Sequence, residues 1–152
     1  MPRSLVARPL AIFVSLSLAT AHTSQAQRTP RVRTGLEVLV SDSLHLIKGK
    51  RVGLITNHSG LGPMGKSTVD ILHGTPGVRL TALFGPEHGI RGVARAGDHV
   101  ASTIDSATGV PVYSLYGETR VPTAEMLKDV DVLVFDIQDV GARTYTDRKS
   151  VV

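Results

Sequence analysis

Four short apolar runs, spaced by helical or turn-forming stretches, constrain this chain of 152 residues more than any other feature. They are Arg51 to Thr56 (RVGLIT), Val78 to Phe84 (VRLTALF), Pro111 to Tyr116 (PVYSLY) and Asp131 to Ile137 (DVLVFDI). The first reads as a buried strand. The last is dense enough in apolar residues for a parallel strand covered on both faces. The third is shorter and is expected nearer a sheet edge. Between the runs the period changes. Leu36, Leu39, Val40, Leu44 and Ile47 follow helical spacing up to Gly49. Ser67 and Asp70 begin a second helix that Gly74 ends, and Pro122 and Thr123 open a third carrying Met126, Leu127 and Val130. Strand–helix alternation at this spacing predicts an α/β fold, a Rossmann-like parallel sheet with flanking helices.

The formal charge of +4 and the absence of cysteine narrow the classes further. Without Cys there is no disulfide framework, no thiolate zinc site and no thiol nucleophile. The positive charge sits outside the predicted fold. Residues 1–26 read as a signal peptide: Arg3 and Arg8 precede the apolar stretch Leu10 to Ala21, and small residues then offer cleavage sites. That stretch is shorter than the ~20 residues a membrane-spanning helix needs. An exported protein, periplasmic or extracellular, is therefore expected, with no stable membrane insertion after cleavage. Residues 27–34 form a basic linker. From Leu36 to Thr146, ten Lys and Arg face twelve Asp and Glu. No basic face interleaved with aromatics appears, so nucleic acid is not an expected partner.

In parallel α/β sheets, binding groups gather at the carboxyl ends of the strands. Three such ends carry polar clusters here: Asn57-His58-Ser59-Gly60, Gly85-Pro86-Glu87-His88-Gly89 and Asp136-Ile137-Gln138-Asp139 continuing to Arg143. One stretch, Gly60 to Ser67, also satisfies the phosphate-loop pattern G-x-x-x-x-G-K-[ST], and Asp136 could hold its magnesium. Three residues separate the preceding strand from the first Gly, however, and the helix that follows is barely two turns long. A turn with a solvated Lys66 is the simpler reading.

Glu87 is the foremost candidate for chemistry. Pro86 fixes the backbone before it, glycines on either side permit tight turns, and a carboxyl beside apolar strand ends can act as a general acid. The plain alternative is a loop carboxylate held by backbone N–H groups. His88 could hydrogen-bond a substrate or Glu87, or be structural. His58, His88 and Asp136 lack the spacing of a local metal motif, and no metal is expected. Asp136, Gln138 and Asp139 offer an edge suited to sugar hydroxyls, with at least one of them structural. Arg143 either pairs with a substrate carboxylate through its planar fork or forms an internal ion pair. Tyr145 either stacks on a sugar or packs in the core.

The segments NHSG (57–60), LFGPEHGIRG (83–92), YSLYG (113–117) and FDIQDVGARTYT (135–146) resemble the exo-β-N-acetylmuramidase family, long known only as a bacterial domain of unknown function. The likeness covers roughly residues 35–146. It implies the N-terminal part of a Rossmann-like catalytic domain, lacking the family's smaller C-terminal domain, with residues 147–152 as a tail outside the family pattern. It further implies a glycoside hydrolase that releases N-acetylmuramic acid from non-reducing ends of peptidoglycan fragments, in cell-wall turnover, without a cofactor. Glu87 would be the catalytic carboxyl. Asn57, His58, His88, Asp136, Gln138, Asp139 and Tyr145 would contact the saccharide, and Arg91 or Arg143 its lactyl carboxylate. The fragment is expected to be inactive alone. A non-catalytic periplasmic sugar- or muropeptide-binding module and a phosphate-loop nucleotide-binding domain are the alternatives.

Overall fold

The computed structural model describes residues 31–86, 89–92, 102–139 and 141. Contacts divide the chain between Arg31 and Val32, and the fold belongs to the second unit. Its sheet has five strands: β1 Arg51–Thr56, β2 Arg79–Gly85, β3 Thr103–Ile104, β4 Pro111–Ser114 and β5 Val132–Asp136. Their order is β3-β4-β2-β1-β5. All neighbours are parallel except β3, which runs antiparallel to β4. The sheet is thus mixed at one edge, and β4 sits one place in from that edge.

Helices α1 (Gly35–Ser41), α2 (Thr68–His73) and α3 (Ala124–Leu127) are short, and each begins at a side-chain cap. Thr34 and Glu37 form a reciprocal capping box on α1. Ser67 and Thr123 accept from the third backbone N–H beyond them. The predicted first helix does not run unbroken to Ile47. It closes at Asp42, and Leu44–Leu46 resumes as a 3₁₀ turn.

The two sheet faces bury different sets. Val52 and Leu54 of β1, with Leu80 and Leu83 of β2, pack with Leu36, Ile47, Val69 and Leu72. Ile55, Ala82, Phe84 and Leu115 pack on the other face with Met126, Leu127 and Val130. Leu80 and Leu83 share a face despite their odd spacing because the β1–β2 register slips between Val52 and Gly53. Thr81 falls at that slip, and its hydroxyl donates to the Asp129 carbonyl at 2.7 Å.

β5 departs from the expectation of a strand covered on both faces. It pairs with β1 alone among the described residues, and Leu133 and Phe135 remain 42% and 43% exposed. Its apolar density therefore marks a surface left open among the described residues. The parallel arrangement has one consequence for function. Register pairs Thr56 with Asp136 and Gly85 with Ser114, so four strand ends emerge side by side.

Candidate active site

Asn57 follows β1 and is buried, while His58 is exposed. The Asn57 Oδ1 atom accepts from the Ser59 backbone N–H at 2.8 Å and from the Ser59 hydroxyl at 2.6 Å. This is the side-chain turn that a short amide after a strand readily makes. Ser59 Oγ in turn accepts from the Gln138 N–H at 2.9 Å, joining the end of β1 to the residues beyond β5. The Thr56 hydroxyl donates to the Asp136 carbonyl at 2.8 Å, a second tie across the same gap. Gly60 closes the turn. A Cβ there would stand 2.9 Å from the Asp136 carbonyl oxygen and collide with Thr56 Oγ1, so only glycine fits.

The Asp136 carboxylate is partly buried and accepts a short hydrogen bond from the fully buried Thr68, at the start of α2. Gln138 and Asp139 are exposed, and Asp139 Oδ1 accepts from the Gly141 N–H at 2.7 Å. Asn57, His58, Asp136, Gln138 and Asp139 thus gather around the ends of β1 and β5. Glu87, His88, Arg143 and Tyr145 lie outside the described residues. The chain on both sides of Glu87 and His88 is fixed all the same. Gly89 N–H donates to the Pro86 carbonyl at 3.0 Å, and Ile90 is buried against Gly85. Gly92, at a φ of +69°, runs so close to His58 that a Cβ would stand 2.6 Å from the histidine Cβ.

Arg91 is placed differently from expectation. Its Nε and Nη2 donate to Asp105 at 3.0 and 2.9 Å, and its Nη1 and Nη2 to Asp70 at 3.1 and 2.9 Å. Nη1 also donates to Ser67 Oγ at 3.1 Å. A guanidinium has five N–H donors, and all five are engaged. None is left over for a lactyl carboxylate, the contact that the resemblance implied for Arg91 or Arg143. Hydrogen bonds from Arg91 hold the carboxyls of Asp70 and Asp105 below their ordinary range, and those two carboxylates raise the pKa of Arg91 itself. Asp105 was not singled out from the sequence. Its only local signal is the turn it makes with Thr108, whose N–H and hydroxyl donate to it at 3.1 and 2.7 Å.

The phosphate-loop pattern does not form a phosphate cradle. Gly62 N–H donates to the Lys66 carbonyl at 2.8 Å, closing the loop on itself. Ser67 caps its own helix and donates to Asp70 Oδ2 at 2.7 Å, and Lys66 is exposed. The helix behind them has six residues. Elsewhere, a mostly apolar groove of about 390 Å³ lies between α1 and the Pro63 turn and includes none of the expected site residues. Among the described residues, no group of three or more His, Asp or Glu is arranged to hold a metal ion.

The parallel strand ends that bear the sequence motifs are thus tied to one another by Ser59 and Thr56. Residues 52–151 match the family described as exo-β-N-acetylmuramidase NamZ, N-terminal. The chain belongs to this family. A peptidoglycan β-N-acetylmuramidase NamZ of Bacillus subtilis is 56% identical over 140 residues, covering 90% of this chain and 34% of that protein. Two crystal structures of DUF1343 family proteins from Bacteroides fragilis share the fold. One is 54% identical with a TM-score of 0.69, over 80% of this chain and 30% of that one. The other is 38% identical with a TM-score of 0.58, over 76% and 28%. The NamZ relative and both structures are thus about three times as long as the part this chain spans.

Proposed function

We propose that this chain supplies the catalytic N-terminal part of a glycoside hydrolase that releases N-acetylmuramic acid from the non-reducing ends of peptidoglycan fragments. The 56% identity to a peptidoglycan β-N-acetylmuramidase, across 90% of the chain, carries this reading. The row of strand ends supports it, because Glu87 follows β2 by two residues and the NHSG turn follows the neighbouring β1. Glu87 would donate a proton to the leaving glycosidic oxygen. Glycosidases use a second carboxyl as base or nucleophile. Asp136 and Asp139 are the described carboxylates at the same strand ends. Arg143 would meet the lactyl carboxylate through its planar fork, and His58, His88, Gln138 and Tyr145 would complete the cleft. With residues 1–26 acting as a signal peptide, the enzyme would work outside the cytoplasm on cell-wall fragments during turnover.

The test is hydrolysis of a chromogenic β-N-acetylmuramide by a full-length protein carrying this segment. Replacing Glu87 with Gln should lower turnover by ~10²–10⁴-fold, the usual contribution of a general acid. Tight saccharide binding without turnover would replace the enzyme by a binding module. Full turnover by the Gln variant would remove Glu87 from the reaction.

A further inference from the structure

The YSLYG segment (113–117) runs from β4 into the loop beyond it, at the same edge of the sheet as the ends of β1, β2 and β5. Its two tyrosines have different surroundings. Tyr113 packs with the core on the α3 face and stacks on Phe84, with ring centroids 5.6 Å apart. Tyr116 is half-buried and belongs to neither core cluster, and among the described residues its hydroxyl has no hydrogen-bond partner. The backbone that carries this ring is nevertheless fixed. Leu115 is fully buried, and its N–H donates to the Gly85 carbonyl at 2.8 Å, extending the β2–β4 ladder one residue past Ser114. Ser114 Oγ accepts from the Tyr116 N–H at 3.1 Å and donates to the Tyr116 carbonyl at 3.0 Å. Gly117 then turns the chain at a φ of +137°, a conformation that favours glycine. An aromatic ring with an unspent hydroxyl is thus carried on a rigid backbone beside the end of β2.

We propose that Tyr116 is a substrate-contacting residue, its ring packing on a pyranose and its hydroxyl bonding a sugar oxygen on the β4 side of the saccharide site. This deepens the glycosidase reading and rests on it. Strands lie ~4.8 Å apart, so the row of ends from β4 through β2 and β1 to β5 is ~14 Å wide, broader than one sugar ring. A saccharide of two rings laid along that row reaches from the NHSG turn and Gln138 to Tyr116. Tyrosine suits the task, because an apolar body with a polar tip gives large contact area and has only two side-chain torsions to fix. A purely structural tyrosine buried in the fold would bond its hydroxyl there.

The experiment uses a full-length enzyme carrying this segment and a peptidoglycan disaccharide with N-acetylmuramic acid at its non-reducing end. It compares Tyr116→Phe, Tyr116→Ala and Tyr113→Phe. Tyr116→Phe removes a hydroxyl that has no partner among the described residues, so the thermal midpoint should stay unchanged while kcat/KM falls ~2–10-fold, the worth of one hydrogen bond. Tyr116→Ala also removes the ring and should lower kcat/KM ~10–100-fold, with calorimetric affinity for the uncleaved thio-linked disaccharide falling alongside. Tyr113→Phe should leave kcat/KM unchanged. Where Tyr116→Ala fails to fold, Tyr116→Phe alone decides. The proposal is overturned by parental kcat/KM in Tyr116→Phe and Tyr116→Ala, by a lowered midpoint in Tyr116→Phe with kinetics intact, or by an equal kinetic loss in Tyr113→Phe. A parent that binds the thio-linked analogue without cleaving the disaccharide would strike the glycosidase reading instead, and loss of affinity in the Tyr116 variants would still establish the contact.

Discussion

The outer strand β5 makes the chain's behaviour in isolation predictable. Leu133 and Phe135 lie on the α3 side of this strand and are 42% and 43% exposed. A large aromatic buries about 200 Å² in a core. The uncovered part of Phe135 is then ~85 Å², worth ~2 kcal/mol at about 25 cal/mol per Å². Leu133, scaled the same way from the ~2 kcal/mol of a fully buried leucine, adds ~1 kcal/mol. Two such edges meeting would gain ~6 kcal/mol of apolar burial, and backbone groups on the side of β5 that faces no strand among the described residues would pair as well, at about 1 kcal/mol each. Set against an association cost starting near 4 kcal/mol, this predicts concentration-dependent self-association below ~1 mM. Sedimentation velocity across a concentration series, with the chain expressed alone, reads it directly. Placing Lys at both positions should weaken association by at least ~10²-fold, because charged side chains on an edge strand block edge-to-edge pairing. Circular dichroism on the same samples checks that the variant still folds. A wild-type chain that stays monomeric throughout, or a folded double variant that associates as strongly, would refute the reading that the edge β5 forms among the described residues is open.

Other consequences follow from single contacts. Thr68→Val removes the buried hydroxyl that Asp136 accepts from, and should destabilise by about 1.5–3 kcal/mol, seen as a lower denaturation midpoint at unchanged slope. Arg51 holds the Asp131 carboxyl down to about 2 through side-chain and backbone hydrogen bonds. Because that folded value lies below the ordinary ~3.9, the stability it contributes is fully present above about pH 4 and is lost as pH falls toward 2. Asp131→Asn should therefore be less stable than the parent at pH 6 and converge with it in strong acid, in urea titrations at stepped pH. Lys66→Ala should leave stability within ~0.5 kcal/mol and, in a full-length protein carrying this segment, should leave the proposed saccharide hydrolysis intact. A nucleotide hydrolysis that depends on Lys66 would restore the phosphate-loop reading.

How much of this was legible from the sequence depended on how local each cause was. β1 was legible to the residue, since five of its six positions are buried and an uninterrupted apolar run has little else to become. The start of α2 was legible from Ser67 and Asp70, which interact across three residues. The break after Ser41 was not, because the helical spacing continues through it and the end is made by backbone bonds to Val38. β3 was invisible for a different reason: its two exposed residues carry no periodicity, and pairing with β4 alone defines them. The exposure of Leu133 and Phe135 on β5 was not legible either, because an apolar strand reads the same in sequence whether or not its faces are covered. Arg91 shows the limit most sharply, because its partners lie 21 and 14 positions away and nothing in the intervening chain marks them.

The same distinction separates the motif residues by task. In the NHSG turn, Asn57, Ser59 and Gly60 join β1 to the chain beyond β5, and His58 is the exposed member. In the segment from Gly85 to Gly92, the glycines, Ile90 and Arg91 make the described attachments to the fold. Asp136 faces α2 through Thr68, whereas Gln138 and Asp139 are exposed beyond the strand. The NHSG turn and the chain after β5 therefore each combine residues that tie strand ends together with one or two that are exposed. Hydrogen bonds from Thr56 and to Ser59 hold the end of β1 against the end of β5, so the relative placement of the exposed members is set by these cross-strand bonds.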